Sequence, residues 1–321
     1  MGSGARLPLP PKRAPVLFVL LALLLSACAT PQLEGLQNDR QGLPERAEVP
    51  AVPFFPQEDN YCGPAALATT LAWSGLSVTQ AEIAPVVYTP GREGTLQNDI
   101  LAGARSYGRL AVPVKDLYQV MAEIAEGTPV LVLQNLGLSW IPQWHYAVAV
   151  GYDLKGDWIA LRSGREERQL LPLKTFERTW ARGDYWALAI TPPDRIPVIA
   201  DESATVAAAA GIERAKQPDA ASQAFAAATD RWPDSFLAWM GLGNARYSLK
   251  QYDTAEVAYR HAATINPSAP EALNNLAYAV ARQGRRDEAL DLVEQAVDRA
   301  GDAAAQYRDS AAEIQAMPTI Q

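Results

Sequence analysis

The chain has 321 residues and a formal net charge of −8, with 49% hydrophobic and 20% charged residues. That length predicts about two domains, and the composition excludes a disordered chain. The acidic balance, with no Lys/Arg run beyond short pairs, argues against a nucleic-acid partner. With only 2 Cys and 2 His, thiol or imidazole chemistry has few places to occur.

Arg6, Lys12 and Arg13 precede the apolar run VLFVLLALLLSA, Val16 to Ala27. This run is short for a membrane-spanning helix, and its flanks are those of a secretory signal. It ends in Leu25-Ser26-Ala27-Cys28, which resembles the bacterial lipobox. The resemblance implies that residues 1–27 are removed and that Cys28 becomes a lipidated N-terminus. Several acyl chains would make that membrane anchor stable. Ala29, in place of an aspartate, implies by the same resemblance an outer-membrane lipoprotein facing the periplasm. Residues 28–47 are polar with scattered Pro and Gly and read as the lipidated N-terminus and a flexible tether. Cys62 is then the one free thiol, and no intramolecular disulfide can form.

Val49–Phe55, VPAVPFF, reads as a short edge strand, where prolines are tolerated. The next segment, QEDNYCGPAALATTLAWSG from Gln57 to Gly75, predicts a helix after Cys62. Pro64 falls in its first turn and Gly75 ends it. A thiol at a helix N-terminus is expected to titrate below about 8.5. Thr79 and Glu82 form a capping-box pattern for a second helix. A third helix follows Thr95, and a fourth runs from Asp116 to Glu126, stopped by Gly127. From Pro129 the texture changes to short apolar or alternating runs at 129–133, 145–150, 158–161, 168–173 and 186–190. These predict an antiparallel sheet. Helices followed by strands give an α+β domain over residues 48–193.

His261 lies in the C-terminal third, which leaves His145 as the candidate base of this domain. It opens the strand-like run WHYAVAVGYD. A thiolate nucleophile needs an imidazole within hydrogen-bond reach, and a helix start beside a strand start can supply that. Gln57, Tyr61-Cys62-Gly63-Pro64-Ala65-Ala66 and His145-Tyr146-Ala147-Val148 together resemble the papain-like cysteine peptidases that process bacteriocin leaders at double-glycine sites. The resemblance covers residues 48–193. It implies that Cys62 is the nucleophile, His145 the general base, and Gln57 a side-chain donor to the oxyanion beside the Cys62 N–H. The family also places an Asp on the strand after the histidine strand. Here Arg162 or Ser163 stands there. An arginine would disfavour imidazolium, whereas Ser163 could accept a hydrogen bond from the ring, and Ser163 is taken as the third member.

The remainder repeats with a period of 34 residues. Ala221, Ala255 and Ala289 form one series, and Ala228, Ala262 and Ala296 another. Phe225, Tyr259 and Val293 align, as do Pro233 and Pro267. Trp239, Leu242 and Gly243 precede Ala255, and Leu276-Ala277 repeats the Leu-Gly step. This is the tetratricopeptide pattern. It predicts an all-α solenoid after a linker at 194–201, with repeats at about 202–235, 236–269 and 270–303 and a capping helix at 304–315. His261 reads as a surface or groove residue.

The expected activity is that of a membrane-anchored cysteine peptidase whose repeats recruit a substrate or partner protein. One alternative is a papain-like domain that binds without turnover, since the orienting acid is missing. Another is a cell-wall peptide endopeptidase, although those usually show an Asp-Cys-Ser-Gly type motif that Tyr61-Cys62-Gly63-Pro64 does not match. Two histidines and no cysteine pair do not make the usual zinc site, and there is no Gly-rich phosphate loop. No metal or other cofactor is expected.

Overall fold

The computed structural model describes residues 30–57, 61–92 and 94–318. The expected signal peptide and the Cys28 lipidation site lie outside the described residues. Among the described residues, no helix is long and apolar enough to cross a membrane.

Most of the expected tether is folded. Helix α1 (Pro31–Asn38) buries Leu33 and Leu36, an i,i+3 apolar pair that gives it one sticky face. It has no local side-chain cap. Instead, the buried Glu177 carboxylate accepts from the N–H groups of Gln32 and Leu33 at 3.0 and 2.8 Å. A carboxylate at this end satisfies otherwise unpaired donors and complements the helix dipole. The expected strand at Val49–Phe55 is also displaced. The strand is β1 (Arg46–Glu48), paired antiparallel with β6 (Trp144–Asp153). Beyond it, Val49 still donates to Val150 O at 2.7 Å, but Pro50, Pro53 and Pro56 have no N–H to continue the ladder.

Helix α2 (Cys62–Trp73) is buried from Gly63 through Leu71, so it is a central helix rather than an amphipathic one. Gly75 follows at φ +93°, the left-handed turn that ends it. Helix α3 (Gln80–Val87) has the complete Thr79–Glu82 capping box. A small hairpin of β2 (Tyr88–Thr89) and β3 (Gly94–Thr95) precedes α4 (Gln97–Ser106). Strand β4 (Leu110–Val114) follows, then α5 (Leu117–Ala125), N-capped by Asp116. The rest of the domain is β5 (Val130–Asn135), β6, β7 (Trp158–Ser163), β8 (Glu166–Pro172), α6 (Leu173–Ala181) and β9 (Ala187–Thr191). The sheet is antiparallel in the order β4-β9-β5-β6-β7-β8, with β1 added beside β6. All six residues of β5 are buried. Helix α2 packs on β5, β6, β7 and β9, and both α5 and α6 pack on β5. This is an α+β domain.

Among the described residues, seven stacked helices follow. They form the pairs α7 (Glu202–Arg214) with α8 (Pro218–Arg231), α9 (Phe236–Ser248) with α10 (Tyr252–Ile265), and α11 (Pro270–Ala281) with α12 (Arg286–Arg299), then α13 (Ala304–Ala316). The six alanines of the 34-residue series are fully buried where helices cross, with Phe225, Tyr259 and Val293 between them. Small residues are needed there, because a Cβ on Gly243 would strike the Tyr259 ring.

The connecting segment at 194–201 is docked rather than free. Ile199 N–H donates to the buried Glu123 Oε1 at 3.0 Å, and Arg195 Nη2 donates to Glu126 O at 2.6 Å. Leu110 and Val112 of β4 share one apolar cluster with Ala208, Ile212, Phe225 and Leu242 of the repeats, with Ile196 and Ile199 packed against it.

Candidate active site

Cys62 occupies the first turn of α2. Gly63 lets the hairpin approach that turn, since a Cβ there would lie 2.5 Å from Thr95 Cβ and Oγ1. Thr95 O in turn accepts from Tyr146 OH at 3.2 Å, which ties the hairpin to β6. His145 is the second residue of β6, paired with Gln134 of β5. Gln57 N–H donates to Gly164 O at 3.0 Å, fastening its loop to the turn after β7. Gln57, Cys62 and His145 line one cleft of about 1140 Å³ together with Thr95, Gln143, Trp144 and Asp184. That is room for a peptide segment.

His145 Nε2 lies 2.9 Å from Ser163 Oγ. Ser163 is buried, so its hydroxyl is a fixed partner for that nitrogen. Arg162 is elsewhere. Its Nε and Nη2 donate to Val52 O at 3.3 and 3.1 Å, and its Nη1 donates to Glu167 O. It clamps the segment after β1 to β8, so the possibility of an arginine at the imidazole is set aside. His261, on the repeats, stacks on Trp239 with ring centroids 4.3 Å apart.

The thiol departs from its expected acidity. Burial pushes Cys62 up, and the N–H groups of Tyr146, Gly63 and Cys62 offset this only in part. Burial also lowers the His145 pKa below its ordinary 6.5. The helix terminus acts in the expected direction, but desolvation is the larger effect. Both shifts favour the neutral forms of the thiol and the imidazole in the free protein. Three features were not anticipated from sequence. The Tyr146 N–H bears on the sulfur, Thr95 Oγ1 is buried without a partner among the described residues, and Asp184 reaches the cleft from a turn in which Asp184 and Tyr185 have φ of 55° and 54°. Tyr146 was legible as the neighbour of His145. Nothing in the local sequence marks the other two.

Residues 49–185 match the Peptidase_C39 like family, and residues 219–284 match the TPR repeat family. The chain joins a C39-peptidase-like domain to tetratricopeptide repeats. Among solved structures it is similar to a Bacillus anthracis protein described as a C39-like peptidase. The identity is 19% and the TM-score 0.40, over 46% of this chain and 98% of that one. It is also similar to the Yersinia enterocolitica type III secretion chaperone SycD, crystallised with a peptide of the translocator YopD. There the identity is 17% and the TM-score 0.34, over 37% and 96% of the two chains. PcrH from Pseudomonas aeruginosa gives 21% identity and a TM-score of 0.34, over 36% and 92%. No curated protein matches the chain.

Proposed function

We propose that the chain is a cysteine peptidase held by a lipid on Cys28 at the outer membrane, facing the periplasm, with its repeats recruiting a substrate or partner protein. One observation carries the catalytic reading: a thiol at a helix start and an imidazole at a strand start line the same peptide-sized cleft, with Gln57 beside them. In this reading Cys62 Sγ attacks the scissile carbonyl carbon as its proton passes to His145 Nδ1. The oxyanion accepts from the Cys62 N–H and the Gln57 amide. His145 then protonates the leaving amine, and a water activated by His145 hydrolyses the thioester. Ser163 keeps the ring in place but offers no charge to the imidazolium, so proton transfer coincides with attack rather than preceding it.

The test is hydrolysis of a peptide library, with acyl-thioester trapping on Cys62. Wild-type protein should cleave, whereas Cys62→Ala and His145→Ala should not, and the double variant should be little worse than either. The raised thiol and the serine in the acid's place favour a second reading, a domain that binds peptide in the cleft without cleaving it. Peptide binding that survives in Cys62→Ala, with no turnover in wild type, would establish that reading instead.

A further inference from the structure

The tip joining β5 to β6, residues 136–144, reads LGLSWIPQW and contains no charged residue. Its backbone is fixed. Leu138 and Ile141 exchange two hydrogen bonds of 3.1 Å around Ser139 and Trp140, and Leu136 N–H donates to Gln143 O at 2.8 Å. Asn135 Oδ1 braces the base, accepting from the N–H groups of Gly137 and Gln143 at 3.0 and 2.9 Å. A Cβ on Gly137 would collide with Ile141 O. This ordered hairpin nevertheless holds its apolar side chains in water. Trp140 is 76% and Ile141 68% exposed, and Leu138 and Trp144 are about half exposed. Of these four only Trp144 lines the cleft. A rigid, uncharged cluster of this kind marks an interaction surface, and the outward residues are not placed to serve the cleft.

The N-terminal segment enters the domain at the same end of the sheet. Gln32 and Leu33 are held by Glu177. Two residues on, Thr179 Oγ1 accepts from Gln134 Nε2 at 2.6 Å, and Arg182 donates to Asn135 O at 2.9 and 3.1 Å. Gln134 and Asn135 are the last residues of β5, directly below the tip. Gln32 Oε1 also accepts from Leu117 N–H at 2.7 Å, so the docked segment is pinned at a second point. Cys28 is two residues from Thr30 in sequence, and two residues span at most about 7 Å.

We infer that the tip seats in the interfacial layer of the membrane that holds the lipid, so that the cleft opens beside the lipid surface. This rests on the anchor reading proposed above. The bilayer is favoured over a protein partner for two reasons: the anchor brings this end of the molecule to the membrane whatever else is present, and tryptophan on an uncharged apolar loop suits the membrane–water interface.

The experiment uses the full lipidated chain in vesicles of phosphatidylethanolamine and phosphatidylglycerol carrying acyl-brominated lipid. The mass of the N-terminal peptide is read on the same sample. Tryptophan fluorescence should be quenched, and Trp140→Phe should lose most of that quenching while its Cys62 alkylation rate in buffer stays at the wild-type value. A lipidated N-terminal mass with no quenching, or with quenching indifferent to Trp140→Phe, overturns the inference and leaves the anchor standing. An unmodified N-terminal mass overturns both, and the mass shows that the anchor failed first.

Discussion

The imidazole of His145 is held by the hydroxyl of Ser163, Nε2 to Oγ 2.9 Å, where the peptidase family resembled by this domain places a carboxylate. A serine fixes the ring's direction but cannot stabilise its charge. Ser163→Asp should supply that charge, raise the His145 pKa and draw the Cys62 proton toward it. Alkylation of Cys62 at pH 7 should rise by about tenfold for each unit that the thiol pKa falls. Ser163→Ala should instead slow peptide turnover, by roughly tenfold, through loss of orientation. Iodoacetamide kinetics and intact mass read the first effect, and peptide hydrolysis the second.

The pH dependence of wild-type Cys62 follows from burial. Its pKa lies above the ordinary 9.0, so the alkylation rate should climb only beyond about pH 9 and be nearly indifferent to His145→Ala. Peptide turnover should behave differently, because it needs the neutral imidazole. Since the His145 pKa is lowered, turnover should be complete at pH 7 and fall only on acidification below 6.5. Alkylation with a midpoint below pH 8.5 that His145→Ala shifts upward would mean a preformed ion pair.

In the repeats, Glu256 lies between Arg260 and Arg285, at 2.8 and 2.6 Å. Burial alone would raise its pKa, but hydrogen bonds from Arg285, Gln283 and Arg260 outweigh it and bring the carboxyl down to about 2. A depressed carboxylate adds stability that is present above its unfolded pKa and lost as pH falls through the folded one. The loss should therefore run from about pH 4.5 to about pH 2. Glu256→Gln should cost roughly 1–2 kcal/mol at pH 7, limited by the half-exposed arginines, and should flatten that acid limb in urea titrations.

Gly243→Ala sets two effects against each other. Alanine gains up to about 1 kcal/mol in helix propensity, while its Cβ meets the ring of Tyr259. That ring is buried and tied to Asn244 Oδ1 at 2.8 Å, so it cannot readily give way. Overpacking costs about 1–3 kcal/mol and should win, lowering the denaturation midpoint.

Glu177→Ala removes the acceptor of two N–H groups at the start of α1. A lost cap of this kind costs about 1 kcal/mol. Hydrogen exchange should speed up across residues 31–38 while β5 and β6 keep their protection.

The elements around the cleft were legible because their signals are local: Thr79 and Glu82 box a helix, Gly127 stops one, and the alternation from His145 onward marks β6. Leu110–Val114 escaped because Pro113 reads as a loop, yet among the described residues β4 pairs only with β9, so a missing N–H costs nothing on its open side. Helix α1 escaped because its cap comes from a residue about 145 positions away. That Ser163 lies beside His145 could be expected because β7 had to follow β6. The direction of Arg162 could not, because it depends on the segment holding Val52 and on Glu167 of β8 converging from distant parts of the chain. Thiol acidity was misjudged for a related reason, since a helix dipole can be read in sequence and desolvation cannot.

Leu110 and Val112, on the open strand of the sheet, are sealed by the first repeats and by the docked segment around Ile199. An uncovered outer strand invites pairing with other chains. The solenoid therefore covers one face of the sheet's border strand. Cutting the chain between the two parts would leave the N-terminal half with a bare, sticky rim, and the intact protein should melt in a single shared transition rather than in two.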